Sequence, residues 1–314
     1  MAHLDTTPIL IAGATASGKS ALALALAKKL NGVVINADSM QVYGVLRALT
    51  ARPDADEEAQ APHRLYGHIA PGAPYSVGIW QDEALAEIAA AQDNQQVPIL
   101  VGGTGLYFAS LLEGLSDIPD IPEDIRAAWR ARLAAEGAAA LHGELTRRDP
   151  ELAARLQPSD GQRIVRALEV AEATGTPLSA WQKIKPQAPL KTAHKLLLMP
   201  DRDWLYARCN RRFEAMMDGA AIAEVEKLWA YNLPPDSSVM KALGVSEILA
   251  MLTGEMARED AIEAAQQATR RYAKRQMTWF RHRMTDWQSF SEKDYEKEFG
   301  KIFSFITQKG LTAT

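Results

Sequence analysis

Eight residues near the amino end decide most of what this chain can fold into. Gly13-Ala14-Thr15-Ala16-Ser17-Gly18-Lys19-Ser20 fits the pattern G-x-x-x-x-G-K-[ST]. A strand-sized apolar run (8–12) precedes it and an Ala- and Leu-rich helical stretch (20–30) follows. A loop of this kind between a strand and a helix cradles phosphate. Its glycines let backbone N–H groups turn inward on an anion. The helix N-terminus adds partial positive charge. Lys19 adds a full one, and the Ser20 hydroxyl can ligate magnesium. With glycine at about 7% of residues, a chance match in a chain this long is on the order of one in a hundred. Residues 13–20 are therefore the candidate phosphate or diphosphate site. The pattern does not specify ATP.

The α/β pattern continues. Val33-Val34-Ile35 reads as a second strand, running to Asp38. Residues 45–78 read mostly as loop and 79–92 as helix. Val97-Pro98-Ile99-Leu100-Val101 is a third strand, closed by Gly102-Gly103. Strands alternating with helices predict a parallel sheet with right-handed crossovers. Pro119 and Pro122 mark a hinge within 116–122, and everything from 122 to 175 reads helical. One short helix opens at Asp149-Pro150. Another is capped by Ser159-Asp160 and stops at Gly175. Residues 176–189 look like loop, and 195–199 return to strand. Helices follow Pro200, the longest of them about 257–282, and 286–314 looks like a short terminal appendage. The expected fold is α/β: a P-loop NTPase-like parallel sheet core at 1–115 and 191–314, with an all-helical insertion domain at 116–190.

Of the 314 residues, 47% are hydrophobic and 24% charged, the balance of a soluble globular chain rather than a disordered or collagen-like one. No apolar run approaches the ~20 residues that span a bilayer. Met1-Ala2-His3-Leu4-Asp5 does not open a signal peptide. The single cysteine, Cys209, excludes an internal disulfide and a cysteine-based zinc site, and reads as a small buried residue. These features predict a cytoplasmic protein with no membrane partner. Lys plus Arg is 35 against 39 Asp plus Glu, a formal charge of −4, so a polyanion would have to be bound by a local patch.

Asp38 stands at the carboxyl end of the second strand, where ligands of open parallel sheets bind. It can be a general base facing the cradle or a turn aspartate. The third strand ends in Gly102-Gly103-Thr104, without the acid that organises magnesium and water in many P-loop ATPases. That favours transfer to an acceptor over hydrolysis. Arg271, Lys274, Arg275, Thr278 and Arg281 share one face of the long helix, whereas Ile262, Ala265, Ala268, Tyr272 and Trp279 lie on another. The first face suits a phosphate backbone or is a solvated face paired with local acids; the second suits a core. In the insertion, Gln162, Arg163 and Arg166, with Arg126, Arg130 and Arg132 on an earlier helix, suggest a second positive surface. Arg208, Arg211 and Arg212 could supply a diphosphate clamp or merely surface charge.

Taken together these segments resemble the bacterial tRNA dimethylallyltransferase family, also called tRNA isopentenylpyrophosphate transferases. The cradle is similar to the family's P-loop, with Ala14 where proline is usual. Asn36-Ala37-Asp38-Ser39-Met40-Gln41-Val42-Tyr43 looks like its Asp-Ser-x-Gln-x-Tyr segment. Ala61-Pro62-His63-Arg64-Leu65, Val101-Gly102-Gly103-Thr104-Gly105-Leu106-Tyr107, Gln162-Arg163-Ile164-Val165-Arg166-Ala167-Leu168-Glu169 and Lys274-Arg275-Gln276-Met277-Thr278-Trp279-Phe280-Arg281 complete the set.

The resemblance implies transfer of a dimethylallyl group from dimethylallyl diphosphate to the exocyclic amine of the adenosine 3′ of the anticodon in tRNA. It implies magnesium as cofactor, on Ser20, and an insertion that clasps the anticodon stem-loop. A monomer is expected. The implied catalytic set is Asp38, Thr15, Lys19 and Arg212, with Asp38 taking the amine proton. The implied tRNA contacts are Asp38, Ser39, Met40, Gln41, Thr104 and Arg126; Gln162, Arg163, Ile164, Val165 and Arg166; and Lys274, Arg275, Gln276, Thr278 and Arg281. Two segments depart from the family pattern. Arg47-Ala48-Leu49-Thr50-Ala51-Arg52-Pro53 stands where Asp-Ile-Gly-Thr-Ala-Lys-Pro is usual, and Val245-Ser246 where Tyr-Arg is common. The rival readings are a small-molecule or nucleotide kinase built on the same cradle, and a nucleic-acid-binding switch that transfers nothing.

Overall fold

The computed structural model describes residues 5–184, 186–291 and 295–310; the residues before Asp5, read above for a signal peptide, lie outside it. The chain divides into two compact units. One is formed by the chain up to Leu112 and from Leu190 onward, the other by Glu113–Pro189.

The first unit opens with β1 (Ile9–Gly13), α1 (Lys19–Leu30) and β2 (Gly32–Asn36). α2 (Ala55–Gln60) and β3 (His63–Arg64) follow inside the stretch expected to be loop. The helix forms because Asp54 and Glu57 make a reciprocal capping box. The strand forms because His63 and Arg64 pair with Val34 and Ile35 at the sheet edge. Then come α3 (Val77–Asp93), β4 (Val97–Gly102) and α4 (Gly105–Glu113).

The second unit is helical: α5 (Glu123–Arg148), α6 (Pro150–Ala153), α7 (Gly161–Thr174) and α8 (Leu178–Trp181). α8 lies in the stretch expected to be loop. α5 kinks at Gly137, which has φ 79°. Trp129, Leu141, Leu145, Ile164 and Leu168 fill the core. The buried Asp149 carboxylate accepts the N–H of Leu152 at 3.0 Å and of Ser179 at 2.9 Å, tying α6 to α8. Gly175 closes α7 in the left-handed region, as its position suggests. Asp160 precedes the helix but makes no side-chain cap; its carboxylate lies 3.5 Å from Arg163 instead.

The chain returns to the first unit with β5 (His194–Leu198), α9 (Arg202–Asp218), α10 (Ala221–Trp229), α11 (Val245–Leu252) and α12 (Arg258–Arg283). The tail is not an appendage. β6 (Gln288–Phe290) pairs with β5, and α13 (Tyr295–Gly310) buries Ile302 and Ile306 against the layer that contains α1. Residues 292–294 and 311–314 of that segment lie outside the description.

The strands form one parallel sheet, in the order β3-β2-β4-β1-β5-β6. Period-two alternation sorts its side chains. Leu10, Val33, Ile35 and Leu100 meet Trp80, Phe108 and Phe280 on one face; Ile9, Ile11, Val34 and Ile99 meet Leu22 and Leu26 on the other. A further core joins the segment after β2 to α9–α11 through Leu46, Leu49, Phe213, Val225 and Ile248. No described helix is long and apolar enough to cross a membrane.

Candidate functional site

The cradle leaves the carboxyl end of β1, the inner strand between β4 and β5. Gly18 has φ 92°, a conformation that side chains with a Cβ disfavour, and it turns the loop into the first residues of α1. Lys19 Nζ donates to the Ala14 carbonyl at 3.3 Å, curling over the loop. Arg212, from α9, donates to Thr15 Oγ1, so that clamp and cradle are already joined. Arg208 and Arg211 are exposed, but both line the polar cavity of about 480 Å³ that runs along residues 15–21 and also touches Asp38, Thr50 and Arg52. Burial pushes the Lys19 ammonium down to about 8, with Asp38 pulling it up and Arg212 pushing it further down. Burial likewise lowers Arg212. The Ser17 hydroxyl is buried without a partner among the described residues, and Ser20 is exposed at the mouth.

Asp38 satisfies both readings of its position. Oδ1 accepts the Met40 N–H at 2.9 Å, the bond of a turn aspartate. Oδ2 takes no hydrogen bond from the described residues, and Asp38 lines two cavities at once. The second, of about 240 Å³, is walled by Leu49, Phe213, Met216, Leu243 and Tyr272, and shares Thr15, Asp38, Thr50 and Arg212 with the first. Burial and the Asp38 charge push the Tyr272 phenol up, so it stays protonated. Thr104 Oγ1 accepts the Ser39 N–H at 3.0 Å, joining the ends of β2 and β4 beside Asp38.

Three residues assigned to RNA contact turn inward. Gln276 is buried; its oxygen accepts the Thr15 N–H at 2.9 Å and its nitrogen donates to the Gly103 carbonyl at 2.8 Å. A Cβ on Gly103 would lie 2.2 Å from that nitrogen, which is why glycine stands there. Ile164 and Val165 are buried in the core of the second unit and hold α7 there. Gln41 is partly committed as well, its amide donating to the Thr50 and Ala51 carbonyls at 2.9 Å each.

The charged faces differ. Arg271, Lys274, Arg275, Thr278 and Arg281 are all exposed on α12, and none of the four cations has an ion pair among the described residues. A solvated face neutralised by neighbours is therefore not what this stripe is. The core face of α12 is Ala265, Thr269, Ala273, Gln276, Met277 and Phe280; Tyr272 and Trp279 are half-buried at its margin. In the second unit the arginines are largely paired: Arg130 with Glu123, Arg132 with Glu136, Arg163 with Asp160, and Arg166 with Glu169. Gln162 is exposed, and the Arg126 Nε is buried without a partner among the described residues.

Against known proteins, the sequence profile described as IPP transferase matches residues 41–283. The chain belongs to the IPP transferase family. It is 54% identical, over 92% of its length and 97% of the relative's, to a tRNA dimethylallyltransferase of Rhizobium meliloti. It is 51% identical to one from Parvibaculum lavamentivorans, covering 97% of both chains. Among solved structures, a full-length tRNA isopentenylpyrophosphate transferase from Bacillus halodurans superposes with a TM-score of 0.70 at 35% identity, with 97% of each chain covered. A eukaryotic dimethylallyltransferase acting on tRNA gives a TM-score of 0.79 at 28% identity over 97% of this chain and 77% of that one.

Within this IPP transferase fold, the departure from the family pattern at 47–53 has local partners. Arg47 Nε donates to the Pro53 carbonyl at 2.8 Å and its guanidinium pairs with Glu58 at 2.9 Å. Arg52 donates to the Tyr43 carbonyl at 3.1 Å. The Gln276 staple gives no signal in the sequence, although the residue sits inside a recognised motif, and Tyr272 gives none as a cavity wall. An acid in the first turn of α10, Glu224, gave no signal of its own.

Proposed function

We propose that this chain transfers a dimethylallyl group from dimethylallyl diphosphate to the N6 amine of the adenosine 3′-adjacent to the anticodon in tRNA, releasing diphosphate. The observation that carries the reading is that Asp38 borders both cavities, across from the joined Thr15–Arg212 pair. The diphosphate occupies the cradle, and the adenine edge enters the second cavity. Leaving its stack to do so costs a loop base little.

The N6 lone pair attacks C1 of the allyl group. The C1–O bond breaks and its electron pair departs on the diphosphate. The amine proton passes to Asp38, whose Oδ2 is the uncommitted oxygen. Lys19, Arg212, Thr15 and the cradle N–H groups take up the charge that develops on the leaving group. No acid follows β4 to activate water there, which suits transfer rather than hydrolysis.

Magnesium fits the donor set as a hydroxyl-and-phosphate ion. Ser20 supplies an exposed hydroxyl, and no cluster of three or more His, Cys, Asp or Glu exists among the described residues to make an all-protein cage. Held by Ser20, the ion would neutralise part of the leaving-group charge. The α12 stripe, together with Ser39, Met40, Thr104, Arg126, Gln162, Arg163 and Arg166, meets the anticodon stem-loop. The enzyme works as a cytoplasmic monomer.

Incubation with radiolabelled dimethylallyl diphosphate and an unmodified anticodon stem-loop tests the reading. Label on the RNA is the expected outcome. An unlabelled RNA, with phosphate moved from ATP to a small acceptor, would assign a kinase instead.

A further inference from the structure

A short loop walls both cavities: Leu49 and Thr50 face the apolar one, and Thr50, Ala51, Arg52 and Pro53 face the cradle. Its backbone is gripped from two sides. On one side Gln41 donates to the Thr50 and Ala51 carbonyls. On the other, Glu224 accepts two successive amides, Ala48 N–H at 2.7 Å on Oε1 and Leu49 N–H at 3.0 Å on Oε2. Glu224 lies in the first turn of α10, far along the chain from the loop it holds. The neighbouring helix in sequence, α9, packs on α10 and carries Arg212, which grips Thr15. One helix pair therefore holds the rim of the cradle with one hand and its opposite wall with the other.

We propose that Glu224 is a positioning residue for the donor site, holding Ala48 and Leu49 and through them setting the Thr50–Pro53 wall at the separation from the cradle that a diphosphate with a small allylic group requires. The proposal rests on the prenyl-transfer reading. The chemistry of the grip is specific. Two parallel N–H groups need two acceptors, and a carboxylate supplies both. A carboxamide supplies one and sets an NH2 against the other N–H. An alanine supplies none. The buried side chains of Leu46 and Leu49 still hold the loop to its core in such variants, so the wall loosens without leaving.

The test is steady-state kinetics of Glu224→Ala and Glu224→Gln with dimethylallyl diphosphate and a stem-loop RNA, alongside thermal unfolding. For Glu224→Ala, a KM for the allylic diphosphate raised about tenfold is expected, with kcat within about threefold and a smaller rise in KM for the stem-loop RNA, whose adenine shares the Leu49–Thr50 wall. Glu224→Gln should fall between it and the parent. A kcat that drops in step with the folded fraction while KM stays at the parent value would overturn the proposal and leave Glu224 a stability residue. If the parent itself transfers no label, the prenyl-transfer reading fails separately. Affinity for inorganic pyrophosphate then decides Glu224: weakened binding in Glu224→Ala supports the positioning role, and parent-like binding refutes it.

Discussion

The Gln276 carboxamide oxygen accepts the backbone N–H of Thr15 at 2.9 Å, and so fixes the phosphate loop to the helix that carries the unpaired cationic stripe. The same side chain donates to Gly103 at the end of β4. Cutting the staple with Gln276→Ala strands one buried and one part-buried backbone group, at a cost of about 1–3 kcal/mol. The expected result in a denaturant titration is a lower midpoint. Gln276→Glu, which keeps the acceptor for Thr15 but sets a buried carboxylate oxygen against the Gly103 carbonyl, should fall at least as far. A midpoint unchanged in both variants would show that the staple contributes nothing to stability.

Asp38→Ala should slow single-turnover transfer about 10²–10⁴-fold, the usual worth of a positioned base. RNA affinity should change far less, because the Met40 turn and the Thr104–Ser39 link shape the loop as well. Rapid-quench kinetics with saturating donor and RNA measure this directly. A rate near the parent's would remove Asp38 from the proton path.

Lys19 gives a pH signature. Its ammonium, lowered to about 8 by burial, is charged below that pH and neutral above it. An anion binds the charged form better, so affinity for inorganic pyrophosphate should hold steady up to about pH 8 and then fall with rising pH, by at most about tenfold per unit. Lys19→Arg stays charged across the range, and its calorimetric profile should lack the break. A break that persists in Lys19→Arg would belong to another group.

Neutralising Lys274 and Arg275 together, as Lys274→Gln and Arg275→Gln, should weaken RNA binding and lower the slope of log affinity against log salt by about 1.5, as expected when two fewer phosphates are neutralised by the protein. Filter binding across a salt series reads the slope. An unchanged slope would place the RNA elsewhere on the molecule.

How much of this was legible beforehand depended on the range of the interactions. β1, the cradle and α1 announce themselves because their signals are local: an apolar run, fixed glycines, a helical repeat. β3 and β6 do not. Each is two or three residues long, and each exists because a partner strand far away in sequence offers it an edge, as Leu196 and Leu198 do for Gln288 and Phe290. Asp38 could be placed at the site by the position of its strand end, but not that its two oxygens divide the work of turn and cavity. Gln276 enters the implied RNA contacts only with the motif that runs from Lys274 to Arg281; about 100° of helical rotation per residue carries it from the exposed side of its neighbours Lys274 and Arg275 to the buried one. Glu224 was invisible, since acids in the first turn of a helix are commonplace and its partners lie over 170 residues upstream.

β1 is hydrogen-bonded along its length on both flanks, Ile9 matching Ile99 on one side and His194 on the other. The bed from which the phosphate loop springs is thus bolted down left and right, and local fraying at the outer rails of the sheet does not reach it. Adjustment on loading and release of cargo falls more easily to the surrounding walls and helices than to the strand beneath the loop.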